Sequence, residues 1–343
     1  MKKTCSMGSW LTVNRKCNLR CGWCYAKDTN YKPQDMSLGL ANQLIGFLEK
    51  LGVKQTILIG GEPTIYPHLL PVIKGLLEAG IAPNLVTNGK KLADASFSEA
   101  LIEAGLKKIS ISVKAADSLQ YMELTGVDCY NDVISGYKII KSLGVEPSLS
   151  ITLVSKLIPH VERLLNNLLE EDITAVTFDM GSPVVVGDII SGEGIPDPKE
   201  LADSCVNIYR FLKEKNNRFN MRISIPLCLL PDDIRNEMKD SQAIMTCCHI
   251  QGGEGLIFDQ VGEILPCNHF PAHPLGKFGV DFSDVETFMN FWHGKEMEEF
   301  RNLTRRFPSE ICEGCKDWDY CGGGCFLEWL YFDPNKFIKK EVK

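Results

Sequence analysis

No histidine precedes His68 in this chain, and neither cysteine nor histidine follows Cys325. A zinc site near the N-terminus would therefore rest on thiols alone, and the final segment 326–343 offers no soft ligand. Also absent is any apolar stretch of the ~18 residues that a membrane span needs. Met1-Lys2-Lys3 carries charge, yet Thr4-Cys5-Ser6-Met7-Gly8-Ser9 supplies no hydrophobic region for an export signal. The net charge is −7 and the basic residues are dispersed, so the electrostatic footprint of a nucleic-acid binder is missing. These absences point to a cytoplasmic protein with neither membrane nor nucleic acid as partner.

What the chain has in abundance is cysteine, 14 in 343 residues. Disulfide frameworks belong to short secreted chains. Here the cysteines form an N-terminal trio and a C-terminal group, with a cysteine-poor stretch between, which reads as separate metal sites. Cys17, Cys21 and Cys24 stand as C-N-L-R-C-G-W-C. Three thiolates this close can hold an iron–sulfur cube and leave one iron without a protein ligand. The competing reading is a zinc knuckle or a set of buried structural thiols. Zinc takes a fourth protein ligand in a closed site, and only Cys5 is near enough to offer one. In the C-terminal group Cys312, Cys315, Cys321 and Cys325 follow C-x2-C-x5-C-x3-C, with Gly322 to Gly324 relieving crowding. Upstream lie Cys247, Cys248 and Cys267, the last at G-x4-C spacing after Gly262. Zinc competes with iron there as well.

Between residues 8 and 226 short apolar runs alternate with amphipathic stretches. Strands are expected at Trp10 to Val13, Thr56 to Ile59, Pro83 to Val86, Lys108 to Val113, Ser148 to Val154 and Ala175 to Phe178. Helices fit Leu40 to Leu51 and Leu69 to Ala79, and the other intervening segments. Such alternation implies an α/β fold with a parallel sheet and crossover helices, here a partial (β/α)6 barrel followed by a small cysteine-rich domain over 227–335. Chemistry in barrels sits at the C-terminal ends of the strands, and the cysteine loop follows the first strand. Gly181 to Pro198, rich in Gly and Pro, reads as a long loop.

The second strand ends in Gly60-Gly61-Glu62-Pro63, where two glycines permit close backbone approach to a ligand. With the cysteine triplet upstream, this resembles the radical S-adenosylmethionine (radical SAM) enzymes. The resemblance covers roughly residues 8 to 226. It implies a [4Fe–4S] cluster on Cys17, Cys21 and Cys24, with S-adenosylmethionine chelating the fourth iron. It also implies that Gly60, Gly61, Glu62 and Pro63 meet the methionine amino group and that Trp23 packs near the adenine. Asn88, in Thr87-Asn88-Gly89, lines the site in similar proteins. Ser110, Ser112 and Lys114 on the fourth strand would meet ribose and carboxylate. Lys114 departs from the S-L-D-G of peptide-modifying relatives, and Ser112-Val113-Lys114-Ala115 resembles the glycyl-radical activase branch.

The C-terminal cysteines resemble the SPASM extension, which carries one or two auxiliary [4Fe–4S] clusters. The resemblance assigns Cys248 (or Cys247), Cys267 and Cys325 to the first cluster, with Cys228 as its fourth ligand. Cys312, Cys315 and Cys321 fall to the second. The family's final cysteine is missing here, so Glu328 or Asp333 would cap the second cluster, an iron would stay open, or that cluster would be absent. Sulfatase-maturing relatives place an acidic base where this chain has Asn268, which argues against that activity. His269 and Cys129 are the candidate catalytic groups, as acid or base and as hydrogen-atom donor. Cys205 reads as a buried structural thiol.

The expected function is cleavage of S-adenosylmethionine to a 5′-deoxyadenosyl radical that abstracts a substrate hydrogen, most readily in a peptide maturase. A small-molecule radical SAM enzyme of antibiotic, cofactor or tetrapyrrole synthesis is the alternative. A non-catalytic iron–sulfur or zinc protein is a third reading, which the Gly-Gly-Glu-Pro motif opposes. Expected partners are a peptide or small-molecule substrate and an external electron donor of flavodoxin or ferredoxin type. The triplet begins at Cys17, which leaves no room ahead of it for a leader-recognition domain, so a separate leader-recognition protein joins the expected partners.

Overall fold

The computed structural model describes residues 8–26, 34–216, 218–246, 248, 253 and 255–338. Cys5 and Cys247 lie outside the described residues. The first six strands are β1 (Gly8–Thr12), β2 (Gln55–Ile59), β3 (Ala82–Thr87), β4 (Ile109–Val113), β5 (Ser148–Leu153) and β6 (Ala175–Met180). They lie side by side in sequence order and all parallel. The crossovers are α1 (Leu38–Lys50), α2 (Leu69–Glu78), α3 (Ala95–Glu103), α4 (Ser118–Thr125), α5 (Tyr130–Ser142) and α6 (Val161–Glu170). Each expected strand and helix is present within a residue or two.

Local sequence explains the boundaries. Ser37 caps α1 by accepting from the Leu40 amide at 3.2 Å, and Asp117 caps α4 through the Gln120 amide at 2.9 Å; such caps satisfy otherwise orphaned donors. α4 ends at Gly126, whose φ of 70° suits a residue without a Cβ. α1 turns Ala41, Leu44, Ile45, Phe47 and Leu48 into the core, the helical spacing visible in the sequence.

The Gly181 to Pro198 segment is not a plain loop. It contains the hairpin β7 (Val184–Val186) and β8 (Ile189–Ser191), paired antiparallel. Two β-branched runs are joined by Gly187-Asp188, and Gly187 has φ 59°, the positive angle that tight hairpin turns need. The flanking glycines and prolines hide this pair when only composition is counted.

The sheet does not stop at residue 226. After α7 (Pro198–Glu214), β9 (Arg218–Arg222) adds parallel to β6, and β10 (Ile244–Met245) adds parallel to β9. At the other end β11 (Gly255–Phe258) pairs parallel with β1. β12 (Glu263–Leu265) and β13 (Gly276–Lys277) then continue antiparallel. The result is an open sheet of 11 strands that spans the barrel and the C-terminal region. Among the described residues, no helix is long and apolar enough to cross a membrane.

An aromatic cluster secures this junction. Phe47 of α1 meets Phe258 of β11 edge-on at 6.1 Å between ring centroids, Phe282 at 5.7 Å and Phe288 at 5.3 Å. Phe288 is 0% exposed. Truncating such a ring costs about 3–5 kcal/mol through lost transfer energy and the cavity left behind. Phe288→Ala is therefore expected to lower the urea midpoint by that equivalent. Barrel and C-terminal signals should still melt together, because the cluster contains residues from both.

Candidate active site and cysteine clusters

Parallel strands bring their C-terminal ends to one edge. The cysteine loop follows β1 there, Gly60 to Pro63 follow β2, Thr87 to Gly89 end β3, Lys114 follows β4, and Asp179 and Arg222 end β6 and β9. Glu62 ties these loops together. Its Oε1 accepts from the Thr64 amide (3.0 Å) and from the hydroxyls of Thr64 and Thr87 (both 2.6 Å). Its Oε2 accepts from the Asn88 amide at 2.7 Å. Its own amide donates to the Lys16 carbonyl at 2.7 Å, and its carbonyl accepts from Asn14 Nδ2 at 2.9 Å. Glu62 is 1% exposed, so each of these bonds counts in a place that water cannot serve.

The two glycines have a structural cause besides ligand approach. A Cβ on Gly60 would collide with the side chain and carbonyl of Asn14, and one on Gly61 with the Lys16 carbonyl. The β2 turn lies directly on the cysteine loop. Asn88 joins the same contact, with Nδ2 donating to Asn18 Oδ1 at 2.7 Å. From the far side, the Arg20 amide donates to the Thr125 carbonyl at 2.8 Å.

Cys17, Cys21 and Cys24 are free thiols near enough for the charges of Cys21 and Cys24 to bear on Cys17. Burial pushes Cys17 up to about 11, with the charges of Glu62, Cys21 and Cys24 adding to the rise. Cys21 is raised chiefly by burial and opposed by the Lys114 ammonium. A site that raises both Cys17 and Cys21 is a poor resting place for thiolates. It becomes a good one when a positively charged iron cluster supplies the missing charge, so these residues fit the group that their spacing implies.

The remaining expected ligands are arranged as follows. Ser112 Oγ pairs with Ser150 Oγ at 3.0 Å across β4 and β5, and both Ser110 and Ser112 are half-buried. Trp23 is half-buried against the core. Lys114 faces Cys21 and also Asp179. Sequence reasoning missed Asp179 and its partner Arg222, an ion pair of 3.1 Å at register-matched positions of β6 and β9. Burial raises the Asp179 carboxyl against the opposing pull of Arg222. A charged residue closing an apolar strand was the only signal. Cys129 is buried at the start of α5 and pushed up to about 11 by burial, so it stays a thiol. Cys205 is buried in α7, in line with a structural role.

His269 is held at the opposite wall. Its Nδ1 lies 3.1 Å from the Ser182 carbonyl and 3.2 Å from that of Pro183, which assigns the proton to Nδ1. Burial lowers its pKa. Its ring lies 5.5 Å from that of Tyr25, next to the cysteine loop. A cavity of about 220 Å³ opens beside it, lined by Trp23, Cys24, Ser182, Val184, Ile189 and Glu193 among others. The hairpin β7–β8 thus walls the space above the first thiol trio.

The C-terminal thiols fall into two groups. Cys248, Cys267 and Cys325 interact with one another, and burial raises both Cys267 and Cys325. The resemblance assigns Cys228 to this group, yet the amide of its neighbour Leu227 donates to Cys321 Sγ at 3.3 Å. The thiols whose charges bear on Cys228 are Cys321, Cys312 and Cys315. Glu328 is misplaced by the sequence expectation: it is fully buried beside Cys325, with its carboxyl raised to about 8 by burial. Asp333 caps the next turn by accepting from the Asn335 amide at 3.0 Å. Neither acid joins the Cys312 group. Among the described residues, no three His, Cys, Asp or Glu side chains converge tightly enough for one metal ion.

Comparison with known proteins matches this layout. The radical SAM superfamily profile matches residues 11–165, and the SPASM iron–sulfur cluster-binding profile matches residues 247–316. The chain carries a radical SAM domain followed by a SPASM domain. The first is the catalytic domain of its superfamily and the second its auxiliary iron–sulfur unit, so [4Fe–4S] clusters and S-adenosylmethionine are the cofactors. A probable GTP 3′,8-cyclase of Sulfurisphaera tokodaii is 28% identical over 218 residues, covering 62% of this chain and 65% of the relative. The GTP 3′,8-cyclase of Mycolicibacterium smegmatis is 34% identical over 143 residues, covering 40% and 39%. The chain thus spans less than two thirds of the length of these curated relatives. Among solved structures, SuiB of Streptococcus suis bound to S-adenosylmethionine superposes with a TM-score of 0.72 at 19% identity, over 99% of this chain and 77% of that one. Native anSMEcpe with bound AdoMet gives 0.70 at 20%, over 93% and 88%. These structures share the fold of this chain.

The Gly61 contact gives a direct test. Gly61→Val should force the β2 turn off Lys16 and loosen the cysteine loop. The expected outcome is loss of about four irons, one cube, with the C-terminal iron retained, measured by iron analysis on anaerobically reconstituted protein.

Proposed function

We propose that this protein is a radical SAM enzyme acting on a small molecule held beside Cys24 of the N-terminal thiol trio, against the β7–β8 hairpin. The observation that supports this most is the cavity. Trp23 and Cys24 line one side and Ser182 and Val184 the other, and the Ser182 and Pro183 carbonyls hold His269, which follows Cys267 by two residues. Cyclase relatives named for GTP chemistry favour a small substrate over a peptide.

Cys17, Cys21 and Cys24 would hold the N-terminal cluster, and Gly60 to Pro63 would meet the amino group of S-adenosylmethionine. When bound, the reduced cluster supplies the electron that cleaves S-adenosylmethionine to methionine and a 5′-deoxyadenosyl radical, which takes a hydrogen atom from the substrate. The chain supplies orientation and exclusion of water. The Glu62 network fixes the loops, Trp23 and the hairpin close off the space, and Lys114 places a positive charge beside Cys21. His269, with Nδ1 engaged, leaves Nε2 as a proton acceptor. Asp179, raised by burial, is the second candidate for moving a proton.

A peptide is the second reading, favoured by fold likeness to SuiB bound to its precursor peptide SuiA, with a TM-score of 0.71. An external flavodoxin- or ferredoxin-type donor would reduce the clusters under either reading.

Anaerobically reconstituted protein should carry about eight to twelve irons, from two or three cubes. With dithionite and S-adenosylmethionine it should release 5′-deoxyadenosine slowly, and the Cys17→Ala/Cys21→Ala/Cys24→Ala variant should release none. Dialysable cell extract should accelerate release, and protease treatment of that extract should leave the acceleration intact. Acceleration abolished by protease would support the peptide reading. No 5′-deoxyadenosine under any reducing condition would overturn the enzyme reading.

A further inference from the structure

We propose that Cys228 is the fourth thiolate ligand of the second auxiliary cluster, completing Cys312, Cys315 and Cys321 from a segment far upstream. This rests on the auxiliary-cluster reading of the C-terminal cysteines and names a ligand that the SPASM match, residues 247–316, does not contain.

The geometry is built from several independent contacts. The amide of Leu227, the residue immediately before Cys228, donates to Cys321 Sγ at 3.3 Å. Leu227 is 0% exposed and opens a single helical turn, Leu227–Leu229, that carries Cys228. On the upstream side, the Cys325 amide donates to the Ser224 carbonyl. Gly324 lies so close to Ser224 and Ile225 that a Cβ there would strike their backbone. On the downstream side, α8 (Asp232–Asp240) grips the same loop. Lys239 Nζ lies 2.6 Å from an Asp317 carboxylate oxygen, and Arg235 Nε lies 3.7 Å from the other. The Tyr320 hydroxyl donates to the Ile244 carbonyl at 3.0 Å. Cys228 is therefore clamped from both sides onto the loop that carries Cys321.

The electrostatics agree with this placement. Burial raises Cys228 most, and the charges of Cys321, Cys312 and Cys315 add to the rise. A [4Fe–4S] cube takes four thiolates when no iron is kept open, and thiolate is a softer ligand than the carboxylates otherwise available. The chain lacks a cysteine after Cys325, and Cys228 removes the need for one. Ligation releases the thiol proton and forms one iron–sulfur bond, with no oxidant required.

The test uses full-length Cys17→Ala/Cys21→Ala/Cys24→Ala protein, reconstituted anaerobically with iron and sulfide, with folding checked by circular dichroism. This background should hold about eight irons as two cubes. Adding Cys228→Ala should remove about four, or convert one cube to a three-iron cluster seen by EPR. Cys228→Ser, with an oxygen ligand, should keep the iron but perturb the Mössbauer spectrum of one cube. The Ala effect should be non-additive with Cys315→Ala and additive with Cys267→Ala. Two unperturbed cubes in the Cys228→Ala protein, zinc at this site, or non-additivity with Cys267→Ala would overturn the assignment. A background free of iron would instead overturn the auxiliary-cluster reading, and the assignment with it.

Discussion

The Glu62 carboxylate accepts four hydrogen bonds from two loops in a place that is 1% exposed. Hydrogen bonds to a charged group contribute roughly 1.5–3 kcal/mol each, and leaving a buried charge short of partners costs more. The end of β3 is thereby fixed to the end of β2. Through Asn14, Lys16 and Asn18, both are fixed to the cysteine loop. Three segments that chemistry needs together are thus held by one side chain and by two glycines thin enough to admit the loop. Glu62 consequently has a positioning role whether or not it also touches S-adenosylmethionine.

Much of this was legible because the signals were local. The triplet, the Gly-Gly-Glu-Pro turn and the strand–helix alternation each occupy a few consecutive residues, and physical periodicities mark them. The parallel topology then brings the strand ends to one edge with no further information. The hairpin β7–β8 was hidden because its turn glycine stands among glycines that serve other purposes. Asp179 and Arg222 escaped notice because each is unremarkable alone. Only the pairing of β6 with β9 makes them neighbours, and about forty residues of chain separate those two strands.

Cys228 shows the same limit more sharply. Spacing places Cys312, Cys315 and Cys321 together because short loops leave them little choice. Nothing in spacing says which of two groups receives a lone cysteine more than eighty residues upstream. The proposed assignment rests on contacts of the segment around it: the Leu227 amide on Cys321, the backbone of Ser224 and Ile225 against Gly324, and the grip of Lys239 on Asp317. Family resemblance supplied one partner group, and the packing of this chain supports the other as the proposed one. The first group correspondingly keeps Glu328 at its side, buried and raised to about 8. Burial disfavours the charged form of such a carboxyl.

One strand pair sets the spacing between the N-terminal trio and the first auxiliary group. β1 runs from Gly8 to Thr12 into the loop of Cys17, while β11 pairs with it in register, Gly8 with Gly255 and Leu11 with Phe258. β12 returns antiparallel from β11 and delivers Cys267 two residues after its end. A one-residue slip of β11 against β1 would turn its side chains to the opposite face. It would also shift Cys267 and His269 along the sheet relative to Cys17. That slip is opposed by the aromatic cluster, since Phe258 on β11 must meet Phe47 from α1 and Phe282 behind it. The packing of a few phenyl rings, far from any sulfur, thereby fixes how far an electron must reach between the N-terminal trio and the first auxiliary group.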